Sequence, residues 1–180
     1  MPAATPQPPP PDVILLNGTS SAGKTTLTRA LQRRAGRPLL HASLDTFTDM
    51  FLWEAITDAE ERRACHAAGV DHFHRALALF ATSPFDLVVD HLLLTPAWHE
   101  ATYTALAGRR VHFIGVHCPP EILLKREAAR PDRRPGLALG QLERVHAGKS
   151  YDFEVDTSLA SPEACADQVL AFIGERDAAP

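Results

Sequence analysis

Cysteine is scarce in this chain: Cys65, Cys118 and Cys165 are an odd number, far apart, with no C-x-x-C pair. That argues against a disulfide framework or a cysteine zinc site and predicts reduced thiols in a cytoplasmic protein. Long apolar runs are missing as well, since nothing approaches the ~18 consecutive apolar residues of a membrane span. The N-terminus has neither a basic n-region nor an apolar h-region, so no export signal is expected. Nor is there an excess of positive charge: 18 Lys+Arg against 22 Asp+Glu give a net charge of −4, the wrong sign for a chain that works on a nucleic-acid backbone. Nine histidines are present, but no H-E-x-x-H occurs, and His72 and His74 are two apart in a helical pattern and diverge. No zinc site is expected.

What remains is the composition of an ordinary globular enzyme. The 180 residues suit one domain, and a hydrophobic fraction of 45% with 22% charged residues excludes collagen-like, coiled-coil and wholly disordered readings. A domain of this size hides roughly 70% of its chain surface on folding and needs no covalent staple. Residues 1–11 hold six of the fifteen prolines and no charged side chain, which predicts a disordered, proline-rich tail ahead of a single domain over 12–180.

From Asp12 the texture changes. Val13 to Asn17 is a short apolar run that ends in a glycine-rich turn, the pattern of a buried strand. Lys24 to Ala35 then lacks Gly and Pro and stops at Gly36, as a helix does. The alternation continues with strands predicted at Leu39–Leu44, Phe85–Asp90, Arg110–Cys118 and Phe153–Asp156. Helices are predicted at Asp58–Ala81, Pro96–Ala107, Glu121–Arg130, Leu137–Ala147 and Pro162–Gly174. Strands alternating with helices of this length predict an α/β fold, a parallel sheet with helices on both faces.

The segment Gly18-Thr19-Ser20-Ser21-Ala22-Gly23-Lys24-Thr25 satisfies G-x-x-x-x-G-K-[ST] between a predicted strand and a predicted helix. Glycines let backbone N–H groups approach phosphate, and the helix N-terminus adds its positive dipole end. Lys24 reaches the β- and γ-phosphates, Thr25 ligates Mg²⁺, and Thr26 and Arg126 complete the expected ATP-binding set. Leu87-Val88-Val89-Asp90 is an apolar strand ending in a carboxylate, as in a Walker B element, and makes Asp90 the second metal candidate. Asp45 follows the second strand, on the side where open α/β sheets bind ligands. It can be the general base for an attacking hydroxyl, or only the N-cap of a helix beginning near Thr46.

Arg126, Arg130, Arg133 and Arg134 cluster about Pro131 and Pro135. The prolines end the helix, so the cluster reads as a lid around 126–137 whose guanidinium groups meet the charge of a phosphoryl-transfer transition state. His91, next to Asp90, is a candidate for the acceptor pocket, and Phe47, Met50, Phe51 and Trp53 could wall an apolar acceptor site after Asp45.

No N-K-x-D guanine reader and no ABC-type signature occurs. On the blocks Leu16 to Thr25, Asp45, Val88-Val89-Asp90, Gly115-Val116-His117-Cys118, Arg126 to Arg133, Val145-His146-Ala147-Gly148, Tyr151-Asp152 and Glu154-Val155-Asp156-Thr157, the chain resembles the chloramphenicol phosphotransferase family of P-loop kinases. The resemblance implies a five-stranded parallel sheet and transfer of the γ-phosphoryl of ATP, with Mg²⁺, to a hydroxyl of a small molecule such as chloramphenicol, a resistance by inactivation. It also implies that Asp45 is the base and that Arg130 and Arg133 belong to the nucleotide lid. The family pattern carries two acids after the third strand where this chain has Asp90-His91, and residues 46–83 match poorly. Two other functions compete: a toxin-like kinase acting on a nucleotide sugar, and a nucleotide-binding switch without transfer activity. The oligomeric state is left open.

Overall fold

The computed structural model describes residues 12–130 and 136–178. The tail expected at 1–11, and with it Arg133 and the rest of 131–135 in the expected lid, lie outside the described residues.

Five strands, β1 (Asp12–Asn17), β2 (Leu39–Ser43), β3 (Asp86–His91), β4 (Arg110–His117) and β5 (Phe153–Asp156), form one sheet in the order β2-β3-β1-β4-β5. Every pairing is parallel, as the βα alternation requires. The helices are α1 (Lys24–Arg34), α2 (Leu44–Thr48), α3 (Ala59–Phe80), α4 (Pro96–Ala105), α5 (Pro120–Ala128), α6 (Leu137–His146) and α7 (Pro162–Ala178).

Because side chains alternate along a strand, β1 feeds both faces of the sheet. Ile14 and Leu16 enter a core with Leu27 and Leu31 of α1, Leu123 of α5, Ala138 of α6 and Val169 of α7. Val13 and Leu15 enter the other, with Val70, Phe73 and Leu77 of α3. All six residues of β1 are buried, which explains why Val13 to Leu16 read as an unbroken apolar run in place of an alternating one. After β1 the chain crosses to the edge at β2, returns to β3, and only later builds β4 and β5 on the opposite side. The order therefore reverses beside β1, and the crevice at that switch point is where such sheets bind ligands.

Two boundaries differ from expectation in ways that matter for function. His91 is the last residue of β3, paired with Asn17, where the sequence placed it after the strand. α2 starts at Leu44 with Ser43 as its N-cap residue, so Asp45 lies within the first turn and is not the cap.

Candidate active site

The loop after β1 turns back through two left-handed residues, Ser21 at φ 62° and Gly23 at φ 93°. Gly23 adopts this conformation without cost, whereas Ser21 holds it under strain. Gly18 is required for a different reason: a Cβ there would stand 2.4 Å from the Val116 carbonyl oxygen of β4. The loop is thus wrapped tightly over the sheet end, with the Ser21 hydroxyl buried and without a hydrogen-bond partner among the described residues.

Lys24 folds back over this loop, its Nζ donating to the Gly18 and Thr19 carbonyls at 3.0 Å each and lying 3.8 Å from Asp90 Oδ1. Thr25 donates its hydroxyl proton to Asp90 Oδ2 at 2.7 Å. That bond leaves the threonine lone pairs and the carboxylate side by side, a hard oxygen donor set of the kind that suits Mg²⁺. Strands β1 and β3 are adjacent, with Leu16 opposite Asp90, and this register is what brings the P-loop threonine to the Walker B carboxylate.

Arg126 is held from α5 by two 2.8 Å bonds to Thr157, one to the side-chain hydroxyl and one to the carbonyl. The Thr157 hydroxyl in turn donates to the Ala22 carbonyl at 2.7 Å, tying α5 and the end of β5 to the P-loop. Buried Glu127 caps α6 from outside it, accepting the Gly136 N–H at 2.6 Å and the Ala138 N–H at 2.9 Å.

These groups open into a cleft of about 1380 Å³. That exceeds the usual 300–1,000 Å³ of a site for one small ligand and leaves room for a donor and an acceptor together. Asp45, exposed at the start of α2, lines it across the end of β3 from Lys24 and Thr25. Arg130 lines the same cleft.

The far end of the cleft is aromatic and imidazole-rich. His91 is stacked on Trp98 at 5.9 Å between ring centroids, and Trp98 on His66 at 6.1 Å. Buried His91 also meets His74, Nε2 to Nε2, at 3.1 Å. The Thr102 hydroxyl donates to the Trp98 carbonyl at 2.8 Å and lies 3.3 Å from His74 Nε2. With both imidazoles neutral, the Nε2–Nε2 contact has one ring donating and the other accepting. The other ring nitrogen of His91, Nδ1, is buried and without a hydrogen-bond partner among the described residues. Burial, with His74 and Lys24 nearby, holds His91 well below the usual histidine range, so this uncharged arrangement persists at neutral pH.

Behind the loop, Asn17 ends β1 and donates from Nδ2 to the Val145 carbonyl at 2.9 Å and the Tyr151 hydroxyl at 2.7 Å. Its Oδ1 accepts the Leu93 N–H at 2.8 Å. The Tyr151 hydroxyl has one proton to give, and His146 Nδ1 at 2.7 Å is positioned to take it, which requires a neutral imidazole. Burial, reinforced by His117, lowers His146 to about 4, and burial pushes Tyr151 up to about 12. A histidine whose folded pKa lies below its ordinary 6.5 contributes stability above that value and loses it as pH falls toward 4. Burial lowers His41, His74, His91 and His99 in the same direction. The urea midpoint should accordingly drop between pH 6.5 and 4, and His146→Gln, whose amide oxygen can accept the tyrosine proton, should remove part of that drop. A midpoint that stays level across the window would contradict this assignment.

A family model described as chloramphenicol phosphotransferase-like protein matches residues 11–174. The chain belongs to the chloramphenicol phosphotransferase-like family. Proteins from two strains of Mycobacterium tuberculosis, each named "Putative O-phosphotransferase", are 30% identical over 168 residues, covering 81% of this chain and 75% of theirs. Among solved structures, the M. tuberculosis APS kinase CysC in complex with AMPPNP and APS superposes with a TM-score of 0.69 at 15% identity, covering 93% of this chain and 99% of that one. A gluconokinase from Sinorhizobium meliloti 1021 gives 0.65 at 20% identity, covering 93% and 94%. The fold is that of a P-loop kinase, and the family makes the chain a phosphotransferase.

The P-loop residues Ser20, Ser21, Gly23, Lys24, Thr25 and Thr26, with Asp45, Asp90, His91, Arg126 and Arg130, all line the one cleft of this family member. Gly18, Thr19 and Ala22 support it from beneath: Gly18 and Thr19 hold Lys24, and Ala22 holds Thr157. Phe47 and Phe51, expected to wall the acceptor site, do not line this cleft. The Phe47 ring packs edge-on against Phe73 in the core at 5.5 Å, and Phe51 lies against Trp53 at 5.6 Å. Trp53 of the expected aromatic group does, whereas Met50 is exposed outside it. Trp98, His66, Gln141 and Thr157 are cleft residues that the motifs missed as site residues. Only Thr157 carried a usable signal, a polar side chain just past the carboxyl end of a strand.

Proposed function

We propose that this phosphotransferase moves the γ-phosphoryl of ATP to a hydroxyl of a small molecule, with chloramphenicol as the first acceptor to try. The observation that carries the reading is the occupancy of one cleft by two kinds of chemistry. Lys24 and the Thr25–Asp90 pair lie at the P-loop, and an exposed carboxylate, Asp45, lies across the end of β3 from them.

Lys24 takes up charge on the β- and γ-phosphates, and the amides about Gly23 to Thr25 orient them. Thr25 and Asp90 would hold Mg²⁺, which neutralises phosphate charge. Asp45 accepts the proton of the acceptor hydroxyl as its oxygen bonds to the γ-phosphorus and the bond to the ADP oxygen breaks. Arg130, and Arg133 by family resemblance, stabilise the equatorial oxygens of the transferring group. A flat apolar body of the acceptor would rest on Trp98 and Trp53, with the neutral His91–His74 pair beneath it. A neutral, ring-bearing alcohol fits such walls, and the family resemblance puts chloramphenicol first among them.

The test is incubation of the protein with ATP, Mg²⁺ and chloramphenicol, read as a mass gain of one phosphoryl group, followed by a panel of other alcohols. Unmodified chloramphenicol would remove that acceptor alone. ATP binding without acceptor-dependent turnover on any alcohol would make the chain a nucleotide-binding switch, and growth arrest on expression relieved by a partner would point to the toxin-like kinase. On a true acceptor, Arg130→Ala should lower kcat at least about tenfold with a smaller change in ATP affinity, because charge on the transferring group is greatest in the transition state. Arg133→Ala should act alike. If both substitutions only raise the KM for ATP, the arginines hold ground-state nucleotide.

A further inference from the structure

Gln141 has no role in the mechanism above, yet it touches the P-loop directly. The Ser20 N–H donates to Gln141 Oε1 at 2.8 Å across 121 residues of sequence. The residue is only 8% exposed, so its amide is held in place with little freedom to turn. A backbone N–H can be met only by the amide oxygen, so the orientation of this group is settled: Oε1 on the loop, Nε2 on the other side. Nε2 makes no hydrogen bond with any described residue, and Gln141 is part of the cleft wall with Gly23, Lys24 and Arg130. Next to its anchor, Ser21 keeps a strained φ of 62° and a buried hydroxyl with no partner among the described residues.

The support behind Gln141 is rigid. It stands on the second turn of α6, whose N-terminus is fastened to α5 by Glu127 through Gly136 and Ala138. Anchoring the oxygen on a helix fixes the amide plane and so fixes where its two N–H donors stand, without a charge to bring along.

We propose that Gln141 is a nucleotide-contacting residue: with Oε1 anchored on the Ser20 amide, Nε2 donates to a phosphate oxygen of the bound nucleoside triphosphate. The proposal rests on the nucleotide site read above, and the experiment separates the two. ATP binding to the full chain is measured by titration calorimetry for the wild type, Gln141→Leu and Gln141→Glu, with circular dichroism as a check of fold. Loss of a hydrogen bond to a charged group predicts ATP binding about 10- to 100-fold weaker for Gln141→Leu. Gln141→Glu keeps the shape and the acceptor for Ser20 but loses the donors and adds a negative charge, so it should bind at least ~10-fold more weakly still.

If Gln141 merely tethers the loop, Gln141→Glu will bind ATP like the wild type while Gln141→Leu weakens, and the proposal is overturned. Equal binding by all three proteins overturns it as well. Should Gln141→Leu not fold, the isosteric Gln141→Glu decides alone, since tethering and phosphate contact predict opposite results for it. Wild-type protein that binds no ATP removes the nucleotide site itself, and with it this role for Gln141.

Discussion

Lys24→Ala should lower phosphoryl transfer about 10³-fold or more and leave the fold standing. The lysine is held by bonds to two loop carbonyls and lies 3.8 Å from Asp90, and none of these is a core contact. Asp90 keeps the Thr25 hydroxyl at 2.7 Å in the mutant, so its carboxylate is not left without a donor. What disappears is the cation that folds back over the loop where the donor's phosphates gather charge. Circular dichroism and turnover on the same preparation check this, and a folded Lys24→Ala protein with near-normal turnover would remove the P-loop from the chemistry.

Asp45→Asn should reduce turnover by roughly 10²–10⁴ with little change in the binding of either substrate. Asparagine preserves the shape and can still accept a hydrogen bond, but it cannot take a proton at neutral pH. Stability is expected to stay within ~0.5 kcal/mol, since Asp45 is exposed and Ser43, not Asp45, occupies the N-cap position of α2. The cap reading allowed by the sequence would also have predicted little loss of stability, because Asn caps about as well as Asp, so the rate is the discriminating quantity. The comparison should be made on kcat and on both KM values with a verified acceptor. Full activity of Asp45→Asn would show that the hydroxyl loses its proton elsewhere.

The P-loop was legible because its chemistry is local. Eight contiguous residues contain the glycines, the lysine and the threonine, and the flanking apolar run and helix pattern supply the context. Asp45 and Asp90 were legible by a rule of topology, since carboxylates at strand ends in a parallel sheet are delivered to one edge. The sheet itself followed from five apolar segments separated by helical ones, and the observed strands differ from the expected ones by at most one residue at either end.

The acceptor side was another matter. Phe47, Phe51 and Trp53 lie within seven positions of one another in the sequence, and composition cannot say which ring meets solvent, core or cleft. Phe47 went to the core because α2 packs on α3, placing its ring against Phe73, while Trp53 was left to the cleft. Trp98 and His66 come from two different helices, and only the packing of α3 and α4 on the same face of the sheet brings them together.

By itself, then, the sequence determined the fold class, the phosphate loop, the lysine and the two strand-end carboxylates, because each depends on neighbours in the chain or on the hydrophobic period. The tertiary structure alone decided that Thr25 meets Asp90, that Gln141 meets Ser20, which aromatic rings wall the acceptor end, and that His91 meets His74. Those facts depend on contacts between residues 17 to 121 positions apart, whose partners are chosen by how the helices pack and not by anything written beside them.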